Sequence, residues 1–514
     1  MPPSSTAPAS IPGPAFPSSF EDGRIARIAP AGGQESGGTG AASPLSGVSG
    51  GVPLTSTRLH TGRVGKITFT TAQVGSGATA PGRRHMTSLF LHNATLIDGT
   101  GADPRPGVSV LVEDGRIARL APASALKSDR DVTVIDATGR FLLPGLTDAH
   151  VHFSATEADG RATRPLAAFA LRVAAFIEET LDQGFTTVRD AGGLDPAWAQ
   201  VVAKGLLRGP RILPSGAFLS QTGGHGDWRA PHQDTIEHGI GGLVAGFIIC
   251  DGADEVRKAA RDQLRRGATQ IKVMASGGAA SPTDPIDATQ FTVEELRAAV
   301  DEARVRDTYV LAHAYHPKSI ANCLEAGVRS IEHGNLLDEK TARDMSAEDA
   351  FLVPTLVTYE VLSERGEQLG MAKSSVEKIR YVGASGEDSI RIAMEAGVRI
   401  GSGSDLLGEP MREKARELVL QARVMGPMGA IVAATKTNAE LFGLSDRIGT
   451  VEEAKQADII LVDSDPLTDI GVLTDASHIR VVVKEGEVVK DMDSGPPRGV
   501  AVGAQHASLA ITDR

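Results

Sequence analysis

Two histidines, His150 and His152, stand one residue apart in "FLLPGLTDAHVHF", in a chain with thirteen histidines among 514 residues. Along a strand, residues i and i+2 share a face, with Cα atoms about 6.6 Å apart. Two neutral imidazoles facing one way can hold a divalent metal. Such pairs also occur on solvated strands, so the pattern alone is weak. Further on, Lys272 in "TQIKVMAS", His313 in "VLAHAY", His333 in "SIEHGN" and Asp405 in "GSGSDL" each fall near the end of a short apolar run. Singly, each has a plain explanation. Lys272 can snorkel, His313 and His333 can be hydrogen-bonded core residues, and Asp405 can cap a helix. Gathered in one place they are harder to dismiss, because buried charge and imidazole are costly unless paired or metal-bound.

The elements around these residues are regular. "GLTDAHVHF", "FTTVRDAGG", "RILPSGAFLS", "TQIKVMASGG", "TYVLAHAY", "RSIEHGN", "FLVPTLVTY" and "VRIGSGSDL" read as eight short buried strands. Helical patterns alternate with them. In "LAAFALRVAAFIEETLDQG", Leu166, Phe169, Ala170, Val173, Ala174, Ile177 and Leu181 form one apolar face that Gly184 ends. Eight strand–helix units predict an α/β fold, a (β/α)8 TIM barrel, whose enzymes keep their sites at the C-terminal strand ends. Short strands at both ends of the regular region predict a small β-sandwich domain. The expected boundaries are residues 1–85, a disordered extension; 86–143 and 436–495, the two parts of the β-sandwich; 144–435, the barrel; and 496–514, a flexible tail.

Residues 1–85 are rich in Pro, Gly, Ser, Ala and Thr. They carry seven Lys/Arg against three Asp/Glu, so their net charge is +4 and the rest of the −12 chain is −16. Such a segment buries little apolar surface. Its "EDGRIARIAPA" at 21–31 repeats "EDGRIARLAPA" at 113–123 in ten of eleven positions. Only the second copy lies in a strand–turn–strand pattern, and the first reads as a duplicated fragment. The acidic charge argues against nucleic acid or an anionic membrane as the main partner. No apolar run of 18 residues is present, so no membrane span is expected. Cys250 and Cys323 cannot build a disulfide framework; they fit a reducing cytoplasm and small core positions.

The chain resembles the metal-dependent amidohydrolase superfamily over residues 88–490. "PGLTDAHVHF", "LSQTGGHGD", "IKVMASGG", "HAY", "GVRSIEHGNLLD", "SGSDLLG" and "ATKTNAELFGL" are most similar to its imidazolonepropionase-like branch, and within that to Xaa-Pro dipeptidases and ochratoxinase-type amidases. The resemblance implies a binuclear centre. His150, His152 and Asp405 would hold one metal, and His313 and His333 the second. Lys272, carboxylated by CO2, would bridge them. Zn2+ is the expected ion, with Co2+ and Mn2+ as alternatives. A hydroxide shared by the metals would attack the carbonyl, and Asp405 would shuttle the proton to the leaving amine. The resemblance also implies assembly into a homo-oligomer.

The expected activity is amide hydrolysis of small dipeptides or N-acyl amino acids, ochratoxin-like amides included. A ring, urea or carbamate hydrolase of the same superfamily is the alternative, and a non-catalytic scaffold is a third reading that the complete ligand set disfavours. His225 in "TGGHGD" is a candidate partner for the substrate carbonyl or a solvent-facing loop residue. Tyr315 shares the face of His313 and either contacts substrate or packs. The "SGGAAS" loop after Lys272 either offers N–H groups to a carboxylate or is a tight turn. His232, His238 and His316 read as surface or loop residues.

Overall fold

The computed structural model describes residues 88–126, 132–157, 165–229, 232–233, 239–281 and 284–494. The expectations for 1–85, including the first "EDGRIAR" copy, and for the tail after 494 lie outside these residues.

Strands from both ends of the described region share one eight-stranded mixed sheet. Its N-terminal part comprises Leu89–Leu96, Arg105–Glu113, Arg116–Pro122, Thr133–Asp136 and Phe141–Pro144; its C-terminal part comprises Ile459–Val462, Ile479–Lys484 and Glu487–Asp491. The seam is the antiparallel pairing of Phe141–Pro144 with Ile459–Val462, with Leu143 opposite Ile460. Leu91, Val110, Val112, Leu142, Ile459, Leu461, Val481 and Val483 bury one face in a common core. The second "EDGRIAR" copy is a hairpin. Asp114 and Gly115 both have positive φ, 49° and 76°, as a two-residue turn of this hand requires.

Between the two halves of that sheet run parallel strands. Leu146–Val151, Phe185–Asp190 and Arg211–Pro214 form one set. Phe218–Ser220, Ile271–Met274, Val310–Ala314, Ser330–His333, Phe351–Val353 and Arg399–Ile400 follow one another in a second. Backbone bonds link the sets at both edges: Thr269 N–H to the Pro214 carbonyl at 2.8 Å, Ala149 N–H to that of Ser402 at 2.9 Å, and Asp405 N–H to that of His150 at 2.8 Å. Taken together, this order is consistent with the expected barrel and β-sandwich. The run "RILPSGAFLS", read as one strand, is two, Arg211–Pro214 and Phe218–Ser220, and one strand, Phe247–Ile249, is additional to the eight runs read from the sequence. It pairs in parallel with Phe218–Ser220, setting Phe247 opposite Phe218.

Helices cover the strands as amphipathic patterning dictates. Helix Leu166–Asp182 buries Phe169, Val173, Phe176, Ile177, Thr180 and Leu181, whereas Leu166, expected on the apolar face, is exposed at the first turn. Helix Val293–Arg304 opens with a reciprocal cap between Thr292 and Glu295. Cys250 and Cys323 are buried, unpaired core residues.

No run of 18 consecutive apolar residues occurs, as read from the sequence, but one helical stretch passes a test of length and mean hydropathy. The helical stretch Arg416–Leu441 is long and apolar enough. Gln421, Arg423, Gly426, Pro427 and Gly429 break its apolar runs, so a count of consecutive apolar residues misses it. It kinks at Gly426 before Pro427 and buries Leu418, Leu420, Ala430 and Ile431. Asn438 Nδ2 donates to the carbonyls of Thr147 and Ser402 at 3.2 and 2.8 Å, tying the stretch to the first and last parallel strands.

Candidate metal centre

Parallel strands buried on both faces are near-continuous apolar runs. The polar residues that interrupt these strands therefore mark the site. His150 lies in strand Leu146–Val151 and His152 just beyond it; Lys272, His313 and His333 lie in the strands around residues 272, 312 and 332, and Asp405 follows Arg399–Ile400. All six line one cavity of ≈ 290 Å³, with His225 and Tyr315. The ring centroids of His150 and His152 are 5.1 Å apart, of His150 and His333 5.2 Å, and of His313 and His333 4.6 Å. His150, His152 and Asp405 each offer a ligand atom, all within 4.8 Å of one another, a cluster that could hold a metal ion.

The outer hydrogen bonds show which nitrogens face inward. His150 Nδ1 donates to Glu332 Oε2 at 2.7 Å, and His152 Nδ1 donates to the Gly192 carbonyl at 2.8 Å. Each Nε2 is then left as the lone-pair nitrogen. These two atoms face each other at 3.2 Å, with Asp405 Oδ1 3.5 and 3.3 Å away. Two imidazole lone pairs and a carboxylate repel unless a cation joins them, so this donor set fits a metal. His313 is turned the other way. Its Nε2 donates to the Gly277 carbonyl at 3.1 Å, which leaves Nδ1 as the lone-pair atom. His333 Nδ1 bonds Thr355 Oγ1 at 2.8 Å. Such outer partners fix tautomers and ring orientation.

Burial, reinforced by neighbouring histidines and Lys272, pushes His150, His313 and His333 well below the ordinary histidine range, so their imidazoles are neutral. Neutral imidazole is the metal-binding form. Burial also lowers His152, but the Asp405 carboxylate outweighs it and raises the ring overall. A proton and a cation compete for that nitrogen. Burial would raise Asp405, yet His150, His152 and Lys272 hold it below its ordinary value. Burial pushes the Lys272 amine down to about 8.

The backbone is strained where these side chains converge. His333, Thr355 and Asp405 have φ of 75°, 49° and 52°. For β-branched Thr355 this is a true outlier, of a kind that gathers at functional sites. At Gly403 a Cβ would come within 2.8 Å of His150 Cβ, so only glycine lets the last strand lie this close to the first.

Several residues had no part in the reading of the sequence. Glu332 is fully buried; Arg189 Nη2 donates to its two oxygens at 2.8 and 2.9 Å, and Ser330 Oγ donates to Oε1 at 2.5 Å. Arg189 Nε also reaches the Ala149 carbonyl at 2.6 Å. Tyr359 Oη donates to Tyr315 Oη at 3.1 Å beside the same cavity. The available signal was a charge within a short strand that is buried throughout: Arg189 in "FTTVRD", Glu332 in "SIEH".

His225 packs over the centre, its ring stacked on His313 at 4.4 Å and its Nδ1 3.0 Å from Ser281 Oγ. Tyr315 is buried against His313 and His333. In the "SGGAAS" loop, Gly277 N–H is spent on the Ala288 carbonyl and Gly278 N–H on Asp284 Oδ2, which favours the tight-turn reading. His316, read from sequence as a surface or loop residue, lies in the loop before helix Pro317–Ala326, where it is buried and its Nδ1 caps the helix by accepting the Ser319 N–H. His232 is exposed, and His238 lies outside the described residues.

Residues 141–489 match the model of the amidohydrolase family. Ochratoxinase of Aspergillus niger is 32% identical over 428 residues, spanning 79% of this chain and 88% of that protein. The crystal structure of a prolidase complexed with N-methylphosphonate-L-proline shares 41% identity at a TM-score of 0.75, covering 79% of this chain and all of the other. A Xaa-Pro dipeptidase with methionine bound in its active site shares 29% identity at a TM-score of 0.71, with 79% and 100% coverage.

Proposed function

The chain belongs to the amidohydrolase family, and on that premise we propose that it hydrolyses the amide bond of small dipeptides or N-acyl amino acids at a centre of two divalent metals. One observation carries this reading: six candidate ligand side chains, in or just beyond five strands, line a single cavity. The likeness to an ochratoxinase, a prolidase and a Xaa-Pro dipeptidase supports the bond type.

His150, His152 and Asp405 would hold one ion, His313 and His333 the other, with Lys272 between them. Imidazole and carboxylate donors suit Zn2+, with Co2+ and Mn2+ as alternatives. When bound, the ions supply Lewis-acid polarisation of the carbonyl and activation of water. Lys272 can join them only as an anion. Its depressed pKa leaves part of the amine neutral near neutral pH, and that lone pair attacks CO2. A nitrogen–carbon bond forms, one proton leaves, and a carbamate carries the negative charge. Asp405, held ionised, takes the proton of the attacking water and returns it to the leaving amine. His225 is placed to hydrogen-bond the substrate carbonyl. Among the described residues lining the cavity, Lys272 is the one lysine or arginine. A substrate carboxylate would therefore meet hydroxyl and imidazole donors such as Tyr315 and His225.

The test is a hydrolysis screen of dipeptides and N-acyl amino acids, with urea and carbamate compounds alongside and metal content measured on the same sample. Amide turnover with two equivalents of metal is expected. Turnover confined to ureas or carbamates overturns the amide reading, and activity with a single metal overturns the binuclear one.

A further inference from the structure

The metal ligands occupy one part of the cavity. Another part is an aromatic wall made by Phe218, Trp228 and Phe247. Phe218 and Phe247 stand opposite each other on neighbouring parallel strands, their rings 5.9 Å apart and 21° from parallel. The Trp228 ring centroid lies 6.2 Å from each.

Two features separate this wall from ordinary core packing. First, Trp228 is 50% exposed, although an indole beside two phenyl rings could be buried with gain. Second, the wall is built into the reaction centre at both ends. Trp228 Nε1 donates to the His225 carbonyl at 3.1 Å, so the residue over the metal centre fixes the indole. Phe218 sits against Gly192, whose carbonyl orients His152. A Cβ at Gly192 or Gly226 would come within 3.0 or 2.7 Å of the Phe218 ring, so two glycines make room for it.

We infer that Phe218, Trp228 and Phe247 form a subsite for a planar aromatic group attached to the scissile amide. The inference rests on the amide-hydrolase reading and deepens it by naming a substrate class. The group lies against the wall, not within it. A ring between Phe218 and Phe247 would need two van der Waals spacings of about 3.5 Å, more than their separation allows. Contact against the wall suits offset or edge-to-face geometry, for which centroids 4.5–7 Å apart are preferred. No ionised side chain belongs to the wall, so the selected group is uncharged.

The test compares size-matched pairs on the metal-loaded enzyme. One pair varies the acyl part, N-benzoyl against N-cyclohexanecarbonyl alanine. The other varies the amino acid, N-acetyl phenylalanine against N-acetyl cyclohexylalanine. Trp228→Leu and Phe247→Leu are the variants, since neither residue is fully buried. The wild type should prefer the aromatic member of at least one pair, by kcat/KM, and both variants should cut that preference about tenfold. A wild type without aromatic preference, or variants within twofold of it, overturns the subsite. Failure of the amide reading is distinguishable. If no pair is hydrolysed, benzamide should still quench, saturably, the fluorescence lost in Trp228→Phe, Trp198 being the other of the two tryptophans. Absence of that quenching overturns the subsite as well.

Discussion

Glu332 Oε2 lies 2.7 Å from His150 Nδ1, and Arg189 binds the same carboxylate through Nη2. All three side chains are buried. The carboxylate fixes the His150 tautomer, and Arg189 offsets the cost of burying that charge. Glu332→Gln keeps the shape but weakens both bonds. It should lower metal affinity by roughly 10–100-fold, read as metal retained after dialysis against a graded chelator series. Retention equal to wild type would show that Glu332 does not act through His150.

Lys272→Ala removes the proposed bridge. An unmodified ammonium would sit beside two dications, and two unit charges 4 Å apart cost about 4 kcal/mol at an effective dielectric of 20, more against a dication. The variant should lose most of its activity and at least one metal per chain, and a short carboxylic acid should restore part of both. Two metals and near-normal turnover without Lys272 would sink the carbamate model.

Glu417 gives a pH prediction away from the metal ligands. Burial pushes its carboxyl up to about 8, although the Val357 N–H donates to Oε2 and the Leu356 backbone N–H also favours the charged form. The folded state therefore keeps a proton that the unfolded state releases near pH 4.5. The group's contribution is complete below that pH and is lost as pH rises towards 8, at up to about 1.4 kcal/mol per pH unit. Glu417→Gln cannot ionise. Between pH 5 and 8 the wild type should lose stability relative to the variant, measured as the difference in Tm. A difference that stays constant over that range would mean Glu417 is ionised when folded.

The six ligand candidates stood out because each is a polar residue in or just beyond a short buried strand, and their gathering around one cavity outweighs the plain explanation each has singly. Glu332 did not, although it is next to His333. Period-two alternation puts neighbours on opposite faces. The left-handed backbone at His333 suspends that rule, so both side chains reach His150. A local backbone conformation of this kind has no signature in residue type. The strand Phe247–Ile249 was missed for another reason: three residues are too few to show a period, and pairing with Phe218–Ser220 makes them a strand. That His316 caps a helix went unread because a cap depends on where the next helix begins.

Lys378 joins two parts of the cavity that are far apart in sequence. It lies on helix Lys373–Gly383, next to Ile379, which lines the cavity. Its Nζ donates to the carbonyls of Gly278, Ser281 and Asp284 at 3.3, 2.8 and 2.7 Å, matching its three protons to three acceptors. Those carbonyls belong to the loop that places Ser281 Oγ against His225 Nδ1 and Gly278 against the His225 ring. Lys378 thus holds His225 in place without touching the metal ligands. Lys378→Met keeps the stem and removes all three bonds. It should lower kcat about tenfold or more, in the range of a misplaced acid–base or binding group, with metal content unchanged. The deciding comparison is the double variant with His225→Ala. If Lys378 acts through His225, the second substitution adds little to the first. Fully additive losses in kcat would show that Lys378 supports the loop without positioning His225.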